Sequence, residues 1–402
     1  MKWKALKRNG YFLILDIGTE AVKALIFSAS GRKKGSDNRI TVLGTGLQYF
    51  GECDVFDAKD FESEMIKEAI SGAIESAHQD LILSLAKKEI KESVQKQKRW
   101  QVLLGLPASI LKGRVVDEII FRKNPDKKIS EKGEKEILSN LFKAVRKKVS
   151  QEFNGESGIL PKDIHWVSSK VLKIGIDGYS VPSIKNYGGR RLEFKVLTTF
   201  LPERYWRNIE KIVRSLNLDV LKIVHLAEVL PNFCQSKRKS GIFLDIGGEA
   251  TQIIKISGDE LEKVDEFKGG GKMFTQSLSQ TLGMSEERAR IMEKKYSKKL
   301  LSDEVVKRIG EIFFWEGKSW YDSFRSKMKR LGLGEISHST FFLFGGGSSS
   351  LEIERILREK TDNGLKIEFI CSKDLEGIES ATKKINDFQS VSPLLICYSY
   401  YD

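Results

Sequence analysis

The sequence has 402 residues, of which 40% are hydrophobic and 31% are charged, and its formal net charge is +13 at pH 7. This length is enough for two or three domains, and the composition is ordinary for a soluble globular protein. No apolar run approaches the length of about 20 residues that spans a bilayer, and no secretory signal is evident, so we expect a cytoplasmic location.

The cysteines, histidines and basic residues exclude several classes of site. Four cysteines and four histidines are scattered without paired spacing, so neither a zinc site nor a disulfide framework is predicted. The excess positive charge raises the question of an anionic partner, such as nucleic acid, a membrane surface or an acidic peptide. The basic residues are spread over helical-looking segments without interleaved aromatic residues, so no specific nucleic-acid partner is predicted.

In chain order, the first predicted elements form a β-hairpin around a carboxylate and a glycine. An apolar run at 11–15 leads into Asp16, Ile17, Gly18 and Thr19, and a second β-rich stretch follows at 22–27. Such a run is typical of a strand that is buried on both faces. Glycine lets a ligand approach the backbone, free amide N–H groups in the turn bind anions, and an aspartate holds Mg²⁺ through water. The hairpin is therefore a candidate phosphate and metal site.

The rest of the first half alternates between strands and helices. The predicted elements are a strand at 40–46, an amphipathic helix at 61–77, strands at 101–106 and 113–121, a helix capped by Ser130, strands at 167–176 and 192–200, a helix at 203–216, a strand at 220–224 and a helix at 225–233. A loop of Gly, Ser and Pro near 158–161 ends one block of these elements. We interpret residues 100–160 as a small subdomain inserted into the first domain.

The second half opens by repeating the first motif. Asp245-Ile246-Gly247-Gly248 ends another apolar run and precedes a β-rich stretch at 251–256. Two copies in the same local context favour a shared role over two unrelated turns. Glycines at 269–271 then break the chain, helices are predicted between 272 and 331, and a buried strand at 340–344 leads into the glycines at 345–347 before a helix begins. Glycines at a helix start either bind an anion or form a tight connection, and both readings stay open.

This order of motifs resembles that of the actin-like ATPases, which include actin, the 70-kDa heat-shock chaperones and sugar kinases. Lys23 lies seven residues after Asp16, where members that keep a lysine use it to reach the terminal phosphates. A P-loop motif is absent from the sequence. Within the superfamily the chain is most similar to the bacterial cell-division family FtsA over nearly all of its length, notably at 179–198 and 268–285. The related pilus family PilM has the same kind of insert.

The resemblance implies an α/β fold of two actin-like (ribonuclease H-like) domains around a nucleotide cleft, with a small α+β (SHS2-like) insert in the first. The expected limits are 1–99 and 161–236 for the first domain, 100–160 for the insert, 237–258 and 340–402 for the second domain, and 259–339 for a helical subdomain beside the nucleotide. A last core strand is expected just before Asp402, without the flexible tail and amphipathic helix that usually end FtsA. Contact with the inner membrane is therefore expected to be indirect.

The same resemblance implies roles in binding ATP and Mg²⁺. Asp16 and Asp245 would flank the Mg²⁺ ion. The residues expected to hold the phosphates are Gly18, Thr19, Lys23, Gly247 and Gly248, and those expected beneath the adenosine are Gly345, Gly346 and Gly347. Arg290 and Glu293 stand where FtsA usually has a glutamate and then a lysine, so they either bracket the ribose with exchanged charges or weaken nucleotide binding. Glu228, the only carboxylate in 225–233, is a candidate for orienting the attacking water.

The resemblance to FtsA implies an ATP-binding cell-division protein that polymerises or links the FtsZ ring to the inner membrane, with slow or absent hydrolysis. Its partner would be the acidic C-terminal peptide of FtsZ. The basic residues expected to bind that peptide are Arg288, Arg290, Lys294, Lys295, Lys298 and Lys299. One alternative is a PilM-like scaffold of type IV pili, which would bind a PilN-type peptide. A kinase or phosphatase of the same fold would need an acidic residue at an acceptor site near Lys23, and a chaperone would need a substrate domain after residue 402.

Overall fold

The structure, a computed structural model, describes residues 10–30, 39–51, 63–84, 92–94, 97, 99–333, 339–360, 366–385 and 388–400. The strands in chain order are β1 (Tyr11–Ile17), β2 (Ala21–Ser30), β3 (Arg39–Tyr49), β4 (Trp100–Gly105), β5 (Lys112–Phe121), β6 (Ile164–Ile176), β7 (Tyr179–Ser180), β8 (Arg191–Pro202), β9 (Leu218–Ile223), β10 (Gly241–Ile246), β11 (Ala250–Ser257), β12 (Glu260–Lys268), β13 (Thr340–Phe344), β14 (Lys366–Phe369) and β15 (Ile378–Ser380). The helices are α1 (Ser63–Ser84), α2 (Glu131–Ser157), α3 (Glu203–Ser215), α4 (Leu226–Lys237), α5 (Lys272–Leu282), α6 (Glu286–Ser297), α7 (Asp303–Arg330), α8 (Leu351–Lys360) and α9 (Val391–Cys397).

Two sheets repeat one plan, as the repeated motif predicts. In the first sheet, of order β15-β3-β2-β1-β4-β9, β1 pairs antiparallel with β2 and parallel with β4. In the second, of order β12-β11-β10-β13-β14, β10 pairs antiparallel with β11 and parallel with β13. The central strands are apolar and buried on both faces because helices cover them. The mixed α/β fold class is therefore confirmed.

The helix α1 packs directly on β3. A Cβ atom at Gly46 would collide with the carbonyl oxygen of Ala73, and a Cβ atom at Gly44 would lie 2.8 Å from the Leu81 backbone nitrogen. Glycine is needed here because the backbones of helix and strand touch. The predicted helix at 61–77 is thus present, although residues 61 and 62 lie outside the described residues and the helix continues to Ser84.

The insert is larger than predicted, and both of its predicted limits are wrong. Its sheet has the order β5-β8-β6-β7, and α2 covers one face of it. The strand β4 belongs to the first sheet, because it lies between β1 and β9 in parallel register with both. The strands from Ile164 to Pro202 belong to the insert, since β8 pairs with β5 from Arg191 to Phe200 and also pairs with β6. The insert therefore spans about Lys112–Pro202.

The helix α2 has the start that the sequence predicts. The hydroxyl of Ser130 accepts a hydrogen bond from the Gly133 N–H at 3.1 Å and caps the first turn. At the other end Gly158 has φ +72°, the left-handed conformation that ends many helices. The predicted cap and the predicted loop after the helix are both confirmed.

The C-terminal part of the chain returns to the first half, contrary to the predicted second-domain range of 340–402. β15 pairs in parallel with β3 at the edge of the first sheet. The expected last core strand is instead the helix α9, all of whose residues are buried. α9 packs against α4 in a core that also includes Phe12 of β1 and Phe243 of β10, so these two helices join the halves.

The helices α5, α6 and α7 form a compact unit beside the second sheet. Trp320 of α7 stacks on Phe324 with ring centroids 5.4 Å apart, and its indole N–H donates to the Thr251 hydroxyl at 3.0 Å. This bond fixes α7 on the second sheet. Over the stretches of chain described above, no helix combines the length and the apolar character needed to cross a membrane.

Candidate functional site

The two repeated turns face each other across a cleft. In each turn the glycine N–H donates to the carbonyl oxygen three residues later, from Gly18 to Ala21 at 2.9 Å and from Gly247 to Ala250 at 3.0 Å. A Cβ atom at Gly248 would lie only 2.6 Å from Oγ1 of Thr19. Glycine at 248 therefore allows the turn of the second half to approach that of the first.

The floor between these turns forms what we call the carboxylate compartment, a cavity of about 120 Å³ lined by Asp16, Lys23 and Asp245. Lys23 Nζ donates to Asp16 Oδ2 at 3.0 Å. The hydroxyl of Ser392 donates to Asp245 Oδ1 at 3.2 Å. Burial raises the pKa of Asp245 to about 7, although the charge of Lys23 acts in the opposite direction. The two aspartates thus occupy equivalent turns in different environments.

The third glycine run closes the cleft from the second half. Gly345 has φ +90°, and a Cβ atom there would collide with Asp245 Oδ1. A 3₁₀ turn over Gly346–Ser349 then leads into α8. A Cβ atom at Gly347 would lie 2.8 Å from the Gly247 carbonyl oxygen. Backbone therefore packs on backbone around Asp245, which only glycine permits.

A second cavity of about 640 Å³, which we call the helix-side compartment, adjoins the first and is lined by Arg290 and Glu293 of α6. The hydroxyl of Thr275 donates to Glu293 Oε2 at 2.5 Å. Burial raises the pKa of Glu293 to about 7, and the Thr275 hydrogen bond opposes this rise. The volume of the helix-side compartment lies within the range of about 300–1,000 Å³ typical of small-molecule sites. The residues that line both compartments are Glu20, Tyr49, Gly346 and Gln389.

The residues of the carboxylate compartment fit a polyphosphate with a divalent cation. Thr19 Oγ1 is buried and has no hydrogen-bond partner within the described part of the chain. A buried hydroxyl without a partner is costly, and a phosphate oxygen would satisfy it. Asp16 and Asp245 supply the hard oxygen donors that suit Mg²⁺ bound mostly through water. The predicted residues of all three glycine motifs therefore meet around this cleft.

The structure does not bring Glu228 to the cleft, and the water-orienting role predicted for it has no geometric basis. Its Oε1 accepts from the Ser168 hydroxyl at 3.0 Å, and its Oε2 lies 3.4 Å from Lys222 Nζ. The side chain is buried between α4 and the insert. Glu228 therefore joins the insert to the first domain.

A different pair, His225 and Gln252, lines the carboxylate compartment and was missed by sequence reasoning. His225 Nδ1 accepts from the Ala227 N–H at 3.1 Å, and burial lowers the pKa of His225 to about 4, so the neutral ring carries its proton on Nε2. His225 Nε2 lies 3.0 Å from Gln252 Nε2. Rotating the Gln252 amide by 180° places its oxygen at this position, where it accepts the hydrogen bond from the His225 N–H. Gln252 follows Asp245 by seven residues, as Lys23 follows Asp16, and this offset is the signal that identifies it.

Comparison with known proteins shows which proteins this chain resembles in sequence and in fold. The cell division protein FtsA of Streptococcus pneumoniae serotype 2 (strain D39 / NCTC 7466) is 23% identical over 315 residues, which cover 76% of this chain and 61% of that protein. The solved PilM-PilN type IV pilus biogenesis complex superposes with a TM-score of 0.61 at 14% identity, covering 96% of this chain and 98% of the other. The chain therefore has the actin-like fold, and its sequence is similar to that of FtsA. No protein-family model matches it.

The chain spans 61% of the length of this FtsA relative. At 14% identity, the likeness to the pilus complex concerns the fold.

Proposed function

We propose that this protein binds ATP with Mg²⁺ in the cleft and acts as an FtsA-like adaptor or filament at the inner membrane. The observation that carries the proposal is the meeting of Asp16, Asp245 and three glycine runs around the unpartnered hydroxyl of Thr19. The ion would neutralise phosphate charge, and Asp16 and Asp245 would hold its water ligands. Lys23 would give up its hydrogen bond to Asp16 and donate instead to a phosphate oxygen. ATP would then chiefly set the relative orientation of the two halves, and its hydrolysis would be slow or absent.

The remaining roles follow from where the residues lie. Backbone N–H groups of the turns at 18–19 and 247–248 would cradle the phosphates, and the glycines at 345–347 would pass beneath the adenosine. Arg290 and Glu293 line the larger compartment, which is the one with room for the nucleoside. Glu293 and Arg290 would bracket the ribose, and Arg290, which faces Glu20 at the junction of the compartments, would also reach the nearest phosphate.

We propose that the partner is an acidic peptide, such as the FtsZ C-terminal tail, bound on α6. Five of the six predicted basic residues are exposed, namely Arg288, Lys294, Lys295, Lys298 and Lys299. Ile291 is 50% exposed and Leu300 is 67% exposed, so the surface offers apolar contacts beside its charges. Arg290 does not belong to this surface because it turns into the cleft. Opposite charges would guide such a peptide and fix its register.

The alternative, a PilM-like scaffold, is favoured by the superposition over nearly the whole chain. A groove of about 570 Å³ lies between the end of α2 and the start of α3, and its walls include Leu160, Pro202, Arg204 and Arg207. Apolar and basic walls of this kind suit a short extended peptide. A PilN-type segment would occupy it.

A pull-down with two synthetic peptides, an FtsZ C-terminal tail and a PilN-type N-terminal segment, separates these roles. Each is tested with and without Mg-ATP. We expect capture of the FtsZ tail, lost when Lys295→Glu and Lys299→Glu are combined but kept in the matched control Lys135→Glu on α2. Capture of the PilN-type peptide alone would assign the pilus role, and capture of neither would contradict the adaptor function.

A further inference from the structure

Glu20 places a carboxylate at the junction of the two compartments. It follows Thr19 directly in the first turn and lines both cavities. Its Cγ lies 2.8 Å from the position of a Cβ atom at Gly248, so the opposite turn packs against it. Burial raises the pKa of Glu20, and the charges of Arg290 and Lys272 oppose this rise. The carboxyl group of Glu20 therefore lies where a nucleotide would pass from its nucleoside to its phosphates.

Arg290 is the cation that faces Glu20 across the cleft. Its Nη2 lies 3.8 Å from Glu20 Oε1, which is longer than the roughly 2.8 Å of a charge-assisted hydrogen bond. The guanidinium lies over the ring of Tyr49, 4.8 Å from its centroid, and Arg290 Nε is buried without a hydrogen-bond partner among the described residues. A guanidinium with an unused buried donor suits a phosphate oxygen.

We propose that Glu20 competes with the phosphates of a bound nucleotide for Arg290, and so lowers the affinity of the cleft for nucleoside phosphates. The inference rests on the proposed nucleotide site. When a phosphate arrives, Arg290 turns from the carboxylate to the phosphate oxygen, and Glu20 is left facing an anion of its own sign. Arg290 is thus a positioning residue for the nucleotide, and Glu20 sets how tightly it is held. Because Glu20 and Tyr49 lie on one half of the cleft and Arg290 on the other, the exchange also alters a contact between the halves.

The test is a set of dissociation constants for ATP, ADP and adenosine, measured by titration calorimetry on the full chain. Glu20→Gln keeps the shape of the side chain and removes its charge, so we expect ATP and ADP to bind about fivefold tighter or more. Adenosine has no phosphate, so its affinity should change less than about twofold. Arg290→Gln should weaken ATP and ADP about tenfold. Glu287→Gln removes an exposed carboxylate at the start of α6 that lines neither compartment, and it should leave all three affinities unchanged.

The outcomes separate the two proposals. A wild-type chain that binds neither ATP nor ADP overturns the nucleotide site itself. Wild-type binding together with equal or weaker ATP affinity in Glu20→Gln overturns the competition by Glu20 alone. An equal gain for adenosine overturns it as well, because the gain would then not involve a phosphate. Thermal unfolding of each variant, with Glu20→Gln expected to be no less stable than wild type, shows that the measured chains are folded.

Discussion

At the scale of single residues, the cleft contains one aspartate in each repeated turn, and the two have different partners. Asp16 accepts a hydrogen bond from the charged Lys23, whereas Asp245 accepts one from the neutral hydroxyl of Ser392. Burial consequently raises the pKa of Asp245 to about 7. An ionised Asp245 is therefore a source of instability in the nucleotide-free protein, which a bound cation would relieve.

Replacing Asp245 with asparagine should stabilise the nucleotide-free protein in a pH-dependent way. The folded-state pKa lies above the ordinary value of 3.8, so the wild-type chain loses stability as the pH rises from about 4 through 7. Asparagine does not titrate, so the unfolding temperature of Asp245→Asn should exceed that of wild type by a gap that grows between pH 5 and 7 and levels off above. We expect a few degrees at pH 8. Thermal scans at four pH values test this, and a gap independent of pH would refute it.

The sequence reveals site residues that are close to one another in the chain and misses those that meet across the cleft. Asp16, Gly18 and Lys23 could be predicted because they share one hairpin. The position of Glu20 beside Arg290 could not, since the two side chains belong to different halves and no local pattern relates them. Glu228 was misassigned because its carboxylate points to the insert rather than along the helix start.

At the scale of elements, a buried ion-pair network holds β5 of the insert against β12 of the second sheet. Arg114 Nη1 lies 2.8 Å from Glu266 Oε2, and Lys112 Nζ lies 2.9 Å from Glu266 Oε1. Arg114 also contacts Asp265 at 3.2 Å, and Lys327 of α7 contacts Asp265 at 3.1 Å. Burial by itself would raise the pKa of Glu266, but Lys112 and Arg114 lower it to about 2. The insert is thus tied electrostatically to the opposite half.

Removing Arg114 should be costly because it leaves buried carboxylates without their partner. For Arg114→Met we expect a loss of about 3 kcal/mol in the free energy of unfolding, seen as a clear drop in unfolding temperature. The control is Lys135→Met, whose ion pair with Glu131 on α2 is exposed and should cost less than about 1 kcal/mol. Equal unfolding temperatures for the two variants would contradict the role given to the network.

Most element types were predictable from sequence, but the sheet that each strand joins was not. The apolar run at 101–106 predicts a strand, yet only the pairing of β4 with β1 and β9 shows that it belongs to the first sheet. The segment Val391–Cys397 is buried on every side, so it has no periodicity to distinguish a helix from a strand. Pairing and burial of this kind are decided by contacts distant in sequence.

At the scale of the whole molecule, two copies of one sheet plan enclose a cleft, and the repeated Asp-Ile-Gly motif made this predictable. The halves touch through Thr19 and Gly248 at the turns, through Glu20 and Arg290 at the junction, and through the insert network. A ligand in the cleft would meet groups from both halves at once. The affinity of the cleft for this ligand is therefore linked to the relative orientation of the two halves.

The central claim is that Mg-ATP binds between Asp16 and Asp245. Titration calorimetry of Mg-ATP into the wild-type chain, Asp16→Ala, Asp245→Ala and the surface control Glu287→Ala tests it most directly. We predict binding by wild type and the control, and a loss of at least about tenfold in affinity for each aspartate variant. Unchanged affinity in both aspartate variants would contradict the assignment of the cleft.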